Sequence, residues 1–289
     1  MSGRRIVVVG SLNADLVVRT ERFPRPGETL RGQDLAVLPG GKSANQAVAA
    51  GRLGGEVVLV GAVGDDEHGR LLRSSAAAAG VDVSHVLVRA GTPTGTAVIT
   101  VDAAGENTIV VSPGANAALA PADLPAGLLE GAAVLCLCLE VGAEVVLAAA
   151  RAARAAGALV LTNPSPSGPV PAGLLERTDV LVLNEHEAAQ LGGHGVPRSV
   201  VTRGARGCVV HEEGAAPVPV PAVPVEAVDT TGCGDAFTGA LALRLAAGDP
   251  LVEAARRAGA VAALAAARAG AQPSYPSREE LEAFTAASG

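Results

Sequence analysis

Aromatic side chains are scarce in this chain of 289 residues, which has no tryptophan, one tyrosine and three phenylalanines. Proteins that bind nucleic acids depend on positive charge and on aromatic surfaces that stack against bases. The net charge here is −7, and the sequence contains no basic tract. We therefore expect no nucleic-acid partner.

Long apolar runs are also absent. The Ala-rich stretches are interrupted by Arg, Glu and Gly, so none reaches the roughly 20 residues that span a bilayer. The apolar stretch 6–10 follows two arginines but is too short for the core of a signal peptide. These features predict a cytoplasmic protein without a membrane partner.

Cysteines are few, at positions 136, 138, 208 and 233. Cys136 and Cys138 lie in an apolar stretch that is typical of a buried strand, with both side chains on one face. No further Cys or His stands nearby at ligand spacing. Core packing in a reducing compartment is therefore favoured over a metal site or a disulfide framework.

Short runs of Val, Ile and Leu alternate along the chain with Ala-rich helical stretches. Strands are predicted at 5–9, 57–60, 134–137, 159–161, 180–183, 200–202 and 208–211. Helices between them are predicted at 43–53, 69–79 and 143–156. Apolar strands separated by helices favour an α/β protein with a mostly parallel sheet covered on both faces. In such sheets ligands bind at the carboxyl ends of the strands.

Two segments, 28–38 and 94–112, are strand-like without an intervening helix, and the second predicts a β-hairpin. We expect a small, discontinuous β-lid made of residues 14–38 and 94–112. The main domain then comprises 1–13, 39–93 and 113–289. The edges of such a lid need covering, commonly by a second subunit, which predicts a homodimer.

The most informative stretch is 229–237, which reads Asp-Thr-Thr-Gly-Cys-Gly-Asp-Ala-Phe. Gly232 and Gly234 precede Asp235 and an apolar run, a pattern that predicts a glycine turn opening a helix. Backbone N–H groups at a helix start favour an anion such as phosphate. Asp235 beside them could accept a proton from an attacking hydroxyl. From these residues alone, a flexible loop followed by an ordinary first-turn acid remains an alternative.

A second motif, 39–46, reads Pro-Gly-Gly-Lys-Ser-Ala-Asn-Gln. It is not a P-loop, because Ala36 stands where that motif needs glycine and Pro39 interrupts the loop. The paired glycines allow close backbone approach, while Lys42 and Asn45 offer hydrogen-bond donors at a helix start. Such groups suit a polyhydroxyl ligand or an anion, although a solvated loop before a packing helix is the alternative.

Taken together, the motifs resemble the ribokinase branch of the PfkB family of sugar kinases over nearly the whole chain. The landmarks follow the order of that family, at 10–15, 26–28, 40–47, 64–69, 114–116, 139–140, 184–187, 202–207, 229–237 and 270–274. The resemblance implies a ribokinase-like three-layer α/β/α domain with a mostly parallel central sheet and a small β-sheet lid.

The implied activity is the ATP-dependent phosphorylation of a sugar's primary hydroxyl, with D-ribose to D-ribose 5-phosphate as the expected reaction. Another pentose, a ketohexose or a nucleoside remains open as the substrate. A sugar-binding regulator without turnover is an alternative of a different class, against which the intact Asp235 argues.

The resemblance also implies roles for individual residues. Asp235 is expected to be the catalytic base, with an ordinary pKa that leaves it ionised at neutral pH. The N–H groups of Gly232, Cys233 and Gly234 are expected to form the anion hole. The implied sugar-binding residues are Asn13, Asp15, Gly41, Lys42, Asn45 and Glu140.

For the nucleotide, the resemblance implies contacts from Asn184, Thr202, Arg203, Gly204, Ala205, Arg206, Gly207 and Gly234. Glu187, together with Asn184, is expected to organise Mg²⁺ through water, since magnesium keeps part of its hydration shell. A potassium site that activates the enzyme is implied at Asp229, Thr231, Ala265, Arg268, Gly270 and Ser274.

Three departures from the family pattern stand out. Ser43 replaces a usual glycine, which is either harmless at a helix start or a change in sugar preference. Gly259 stands where many relatives carry Asn or His near the nucleotide base. Segment 191–199 is too short for the usual helix. Because a parallel crossover needs about a dozen residues, 185–193 must supply a short helix or the sheet is rearranged.

Overall fold

A nine-stranded sheet and a separate four-stranded sheet organise this protein in a computed structural model that describes residues 4–288. The strands are β1 (Arg5–Val9), β2 (Asn13–Arg19), β3 (Ala36–Gly40), β4 (Val57–Gly64), β5 (Val81–Arg89), β6 (Gly95–Val101), β7 (Asn107–Ser112), β8 (Ala132–Leu137), β9 (Leu159–Thr162), β10 (Val180–Asn184), β11 (Arg198–Thr202), β12 (Cys208–Glu212) and β13 (Val218–Val220). The helices are α1 (Lys42–Arg52), α2 (Glu67–Ala78), α3 (Ala143–Ala156), α4 (Glu185–Leu191), α5 (Cys233–Ala246), α6 (Leu251–Ala266) and α7 (Arg278–Ser288).

The large sheet has the strand order β13-β12-β11-β10-β9-β8-β1-β4-β5. Pairing is parallel from β5 to β11 and antiparallel for the last two pairs. Ile6 and Val8 pack into one apolar cluster with α1, α5 and α6, whereas Val7 and Val9 face a second cluster with α3. Burial on both faces explains the continuous apolar strands, and the predicted three-layer α/β class is confirmed.

The small sheet has the order β3-β2-β6-β7, with β6 and β7 as the predicted hairpin. Strand β7 is exposed throughout, and Val110 is 70% exposed. The predicted strand over 28–38 is wrong before β3, where residues 20–35 form an irregular connection. Glu28 closes a turn there, because its carboxylate accepts hydrogen bonds from the side chain of Arg22 and from the backbone N–H of Arg25.

The short crossover between β10 and β11 is achieved by α4, a helix of seven residues. Asn184 and Glu187 cap it reciprocally, since each side chain accepts a hydrogen bond from the other's backbone N–H. The expectation of a short helix is confirmed, and β10 and β11 remain parallel. A groove of about 430 Å³ beside this crossover includes Leu183, Val196, Val201 and His211 in its lining. No helix within residues 4–288 is long and apolar enough to cross a membrane.

Candidate active site

Asp235 lies in the first turn of α5 and is 7% exposed. Its Oδ2 accepts a hydrogen bond from Asn45 Nδ2 (3.0 Å), and its Oδ1 accepts one from Gln46 Nε2 (3.3 Å). Burial raises the pKa of Asp235, while the charge of Lys42 and the two amides act in the opposite direction. The sequence-based expectation of an ordinary pKa for Asp235 is therefore wrong, because the fold removes this carboxyl group from water.

The glycine turn before Asp235 has the geometry that its sequence predicts. Gly232 is the N-cap of α5 with φ 73°, in the left-handed region that favours glycine. A Cβ on Gly232 would lie 2.5 Å from Tyr275 Oη, whereas a Cβ on Gly234 would meet no atom within 4 Å. The turn is therefore packed behind Gly232 and open beside Gly234, which leaves room for a ligand at the helix N-terminus.

The only tyrosine of the chain holds this turn from behind. Tyr275 is fully buried, and its hydroxyl donates to the carbonyl of Gly232 (3.0 Å). The N–H of Cys233 donates to Thr230 O (3.2 Å), so one of the three expected anion-hole donors has a backbone acceptor. Burial raises the pKa of the Cys233 thiol to about 11, so the thiol adds no negative charge to the turn at neutral pH.

Four charged side chains interact electrostatically around this site. Glu140 Oε2 accepts from the Lys42 backbone N–H (3.0 Å) and from Ser11 Oγ (2.5 Å). The pKa of Lys42 is raised, since burial, which would lower it, is outweighed by the carboxylates of Asp235 and Glu140. Burial raises the pKa of Asp15 to about 7, with added repulsion from Glu140 and Asp235. The fold thus concentrates three carboxyl groups around one ammonium group.

Glycines let the backbone approach these side chains closely. A Cβ on Gly40 would lie 2.2 Å from the carboxylate of Asp15. Gly41 has φ 90°, and a Cβ there would lie 2.6 Å from the backbone nitrogen of Asn13. The paired glycines of the 39–46 motif therefore allow the start of α1 to contact the start of β2.

All the expected nucleotide residues except Gly234, which lies in α5, are at or directly after the ends of two neighbouring strands. Asn184 ends β10 and is in register with Thr202 at the end of β11. The following loop, 203–207, closes through Arg203 N donating to Gly207 O (2.7 Å). Arg206 forms an ion pair with Glu185 (2.6 Å), which connects this loop to α4.

Most of the residues expected to bind potassium surround the loop that follows α6. Asp229 accepts from the N–H groups of Thr231 and Gly270 (both 2.9 Å), and these bonds lower its pKa against the effect of burial. Ala265 lies buried in the last turn of α6, and Ser274 is fully buried nearby. The guanidinium of Arg268 instead pairs with Glu280 (2.7 Å) on α7, so its contribution to a cation site would come from its carbonyl oxygen.

The structure also locates two of the departures from the family pattern. Ser43 is fully buried, and its Oγ lies 2.9 Å from Cys138 Sγ. Its hydroxyl is thus engaged by the residue that follows β8. Gly259 lies within α6, and a Cβ there would meet no atom within 4 Å.

Sequence reasoning missed several polar residues that support the site. Asn116 donates to Asn13 Oδ1 (2.8 Å), and Gln272 donates to Asn45 Oδ1 (3.0 Å). Three of these residues, Ser11, Gln46 and Asn116, lie inside the motifs, and Gln272 lies between two expected potassium ligands. Their position in or beside a motif was therefore the only feature of the sequence that could have identified them. What these residues contact depends on tertiary structure.

Comparison with known proteins matches residues 4–278 to the pfkB family of carbohydrate kinases. The ribokinase of Bacillus subtilis is 37% identical, over 96% of this chain and 98% of its own. A solved structure of Arabidopsis thaliana ribokinase complexed with ribose and ATP is similar with a TM-score of 0.90 and 32% identity, covering 98% of both chains. A fructokinase with bound ATP from Xylella fastidiosa has a TM-score of 0.83 and 26% identity, again over 98% of both chains.

Proposed function

We propose that this chain, which belongs to the pfkB family of carbohydrate kinases, transfers the γ-phosphoryl group of ATP to the primary hydroxyl of D-ribose, giving D-ribose 5-phosphate. The observation that carries the proposal is a buried carboxylate, Asp235, placed in the first turn of a helix beside an open glycine turn. The similarity to the ribokinases of B. subtilis and A. thaliana supports ribose as the sugar.

In this proposal Asp235 accepts the proton of the attacking hydroxyl. The amides of Asn45 and Gln46 fix the orientation of its carboxylate, and the charge of Lys42 favours its ionised form. Backbone N–H groups of Gly232, Cys233 and Gly234 are assigned to the transferring phosphoryl group, for which the N–H of Cys233 must leave Thr230 O. Phosphoryl transfer needs mainly positioning and charge stabilisation, both of which such fixed groups supply.

We assign the grip on the sugar to the residues around that base. The carboxyl groups of Asp15 and Glu140 accept hydrogen bonds from sugar hydroxyls, while Lys42 and Asn45 donate them. Asn13, fixed by Asn116, and the backbone of Gly41 complete the sugar site. Burial raises the pKa of Asp15, with added repulsion from Glu140 and Asp235. Hydroxyl donors beside its carboxyl group would stabilise the ionised form, which favours a polyhydroxyl ligand.

For the nucleotide we assign Asn184, Thr202 and the loop 203–207, together with the N–H of Gly234. The buried carboxylate of Glu187 offers only oxygen ligands near the end of β10, and such ligands fit Mg²⁺ held through water. When bound, the ion neutralises charge on the phosphates of ATP.

A potassium ion fits the residues around the 265–274 loop. The donor set is made of oxygen atoms, namely the Asp229 carboxylate, the Ser274 hydroxyl and carbonyls at the C-terminus of α6, where the helix dipole is negative. We therefore assign K⁺ to Asp229, Thr231, Ala265, Arg268, Gly270 and Ser274. Its charge would stabilise the loop that adjoins the glycine turn.

We assign the small sheet, within residues 14–38 and 94–112, the role of a lid over the sugar. Its outer strand β7 exposes Ile109, Val110 and Val111, and this apolar edge supports pairing with a second copy as a homodimer. The need for ATP and the four free cysteines support a cytoplasmic location.

A second candidate substrate is a ketohexose, which the similarity to the X. fastidiosa fructokinase supports. The test is ADP formation by the purified protein with ATP and Mg²⁺ on a panel of D-ribose, D-xylose, D-fructose and adenosine, with and without K⁺. We expect the highest kcat/KM on ribose and stimulation by K⁺. Higher kcat/KM on fructose or adenosine would overturn the assignment of ribose, and no turnover on any of them would favour a sugar-binding regulator.

A further inference from the structure

A chain of side-chain hydrogen bonds leads away from Asp235 into the protein. Asn45 Nδ2 donates to Asp235, and Asn45 Oδ1 accepts from Gln272 Nε2 (3.0 Å). Gln272 Oε1 in turn accepts from Ser75 Oγ (3.0 Å) on α2. The three bonds connect α5, α1, the 272–274 turn and α2, and their order is Ser75, Gln272, Asn45, Asp235.

Every bond in this chain has the same direction. A carboxylate only accepts hydrogen bonds, so Asn45 must turn its NH₂ group toward ionised Asp235. The carbonyl oxygen of Asn45 then faces Gln272, which must offer its own NH₂ group. The carbonyl oxygen of Gln272 faces Ser75, whose hydroxyl donates. All three hydrogen bonds can therefore form together only when Asp235 accepts a hydrogen bond from Asn45. A catalytic base must likewise be able to accept a proton.

Gln272 is 3% exposed, and its side-chain amide bonds to Asn45 and Ser75 rather than to Asp235 itself. The neighbouring donor Gln46 makes a longer bond to Asp235 (3.3 Å), and its own Oε1 has no hydrogen-bond partner among the described residues. The Asn45 bond is therefore the shorter of the two, and Gln272 is the residue that fixes its direction.

We propose that Gln272 is a positioning residue for catalysis, which holds the Asn45 amide with its NH₂ group toward Asp235. This inference rests on the proposed kinase function. Gln272 acts through Asn45, and Ser75 fixes the orientation of Gln272.

Other charged or titratable groups act on Asp235 and stay in place when Gln272 is changed. Lys42 attracts its negative charge, whereas Glu140 repels it. Asp15, Cys233 and Tyr275 also interact with it electrostatically. A change in the titration of Asp235 in Gln272→Met, which adds no charge, is therefore attributable to the hydrogen-bond chain, whereas the carboxylate of Gln272→Glu adds its own repulsion.

The test compares Gln272→Glu, Gln272→Met and Ser75→Ala with the wild type, using kcat, KM for ATP and ribose, and the pH profile of kcat. In Gln272→Glu an acceptor replaces the donor, so Asn45 turns its NH₂ group toward residue 272 and its oxygen toward Asp235. We expect kcat to fall about tenfold or more, which is the loss of one hydrogen bond to a charged group. KM for ATP should remain within about twofold of the wild type, since no ATP contact is altered.

The pH profile separates this role from a purely structural one. Loss of the donor disfavours the ionised form of Asp235, so the acid limb of the kcat profile should move to higher pH, by about one unit in Gln272→Glu. Gln272→Met, in which residue 272 has no hydrogen-bonding amide, should shift the acid limb less than Gln272→Glu does. Ser75→Ala should shift it least. Gln190→Glu, the same amide-to-acid change at an exposed position of α4 without an assigned role, serves as the control and should match the wild type.

Wild-type kcat and pH profile in a folded Gln272→Glu would overturn the inference. Equal losses in all three variants without movement of the acid limb would overturn it too, because they would indicate a structural role alone. If circular dichroism shows that Gln272→Glu does not fold, the kcat and the acid limb of Gln272→Met and Ser75→Ala test the inference in its place. A wild-type protein without sugar-dependent turnover would overturn the proposed function and this inference together.

Discussion

Asn116 Nδ2 lies 2.8 Å from Asn13 Oδ1, and the same side chain exchanges two hydrogen bonds of 3.0 Å with the backbone of Leu12. All three contacts are buried. Asn116 therefore fixes both the chain path from β1 into β2 and the rotamer of Asn13. Since Asn13 is a proposed sugar ligand, the fit of the sugar depends on a residue outside the ligand set.

Replacing Asn116 with aspartate removes both side-chain donors and places a negative charge against two oxygen acceptors. We expect KM for ribose to rise about two- to tenfold, as one lost hydrogen bond of ordinary strength implies. Steady-state kinetics measure this effect. Gln190→Glu, an amide-to-acid change at an exposed position without an assigned role, is the control, and an Asn116→Asp enzyme with normal KM would contradict the prediction.

Asp235→Asn keeps the shape of the side chain but removes the proposed base. Turnover should fall at least ~10²–10⁴-fold, the usual contribution of general-base catalysis. Ribose binding, measured by calorimetry, should persist because the sugar ligands remain. Asp65→Asn, at a side chain that is 73% exposed, is the matched control. Retention of more than about a tenth of the wild-type rate would exclude Asp235 as the base.

The affinity for ribose should depend on the protonation of Asp15. Burial raises its pKa to about 7, so the carboxyl is mostly protonated in the unliganded protein at pH 6. If the sugar hydroxyls donate to the carboxylate, binding must expel that proton. The dissociation constant should then increase about tenfold for each pH unit below 7 and level off above it. In Asp15→Asn the pH dependence should disappear, even though binding is weaker.

The free energy of unfolding of the unliganded protein gives an independent measure of the pKa of Asp15. Between the ordinary aspartate pKa of 3.8 and the folded pKa of about 7, the folded state keeps a proton that the unfolded state has released. The contribution of Asp15 is therefore complete below pH 3.8 and is lost as the pH rises through 7. Denaturant titrations of wild type and Asp15→Asn should differ in slope over this window, and parallel pH profiles would contradict the assignment.

Two glycines should respond to alanine in opposite ways. Gly259 is inside α6 with open space around a Cβ, so Gly259→Ala should stabilise the protein by about 0.5–1 kcal/mol. Gly232→Ala should destabilise it, because the new Cβ would lie 2.5 Å from Tyr275 Oη in a left-handed backbone conformation. Thermal unfolding of the pair measures both effects, and a lower melting temperature for Gly259→Ala would contradict the helix-propensity argument.

The strands that could be predicted from sequence are those that are buried on both faces, because such burial requires a continuous run of apolar residues. β1 and β8 are apolar on both faces because helices cover both sides of the sheet. β5 was missed because it lies at the sheet edge and alternates apolar with polar residues, such as Asp82 and Ser84. The strand predicted over 28–35 was wrong because Glu28 forms side-chain hydrogen bonds that close a turn there. The pattern of apolar and polar residues gives no sign of these bonds.

Within the site, sequence motifs placed residues at the ends of strands but could not show their environment. The carboxylate of Asp235 looked ordinary because its burial depends on α1, which lies almost 190 residues away along the chain. Gln272 gave no signal of its own, since its partners Asn45 and Ser75 are brought to it only by tertiary packing. Chemistry that resides in a single loop is readable from sequence, whereas the pKa and orientation of a group depend on the whole fold.

The buried ring of Tyr275 makes the protein its own optical probe. With no tryptophan in the chain and no second tyrosine, tyrosine emission arises from one phenol, whose hydroxyl is bonded to the glycine turn. A change in that bond when ATP or a cation binds would alter the signal without interference from other tyrosines or tryptophans. Stopped-flow fluorescence could therefore follow the ordering of the glycine turn in real time, in the unlabelled enzyme.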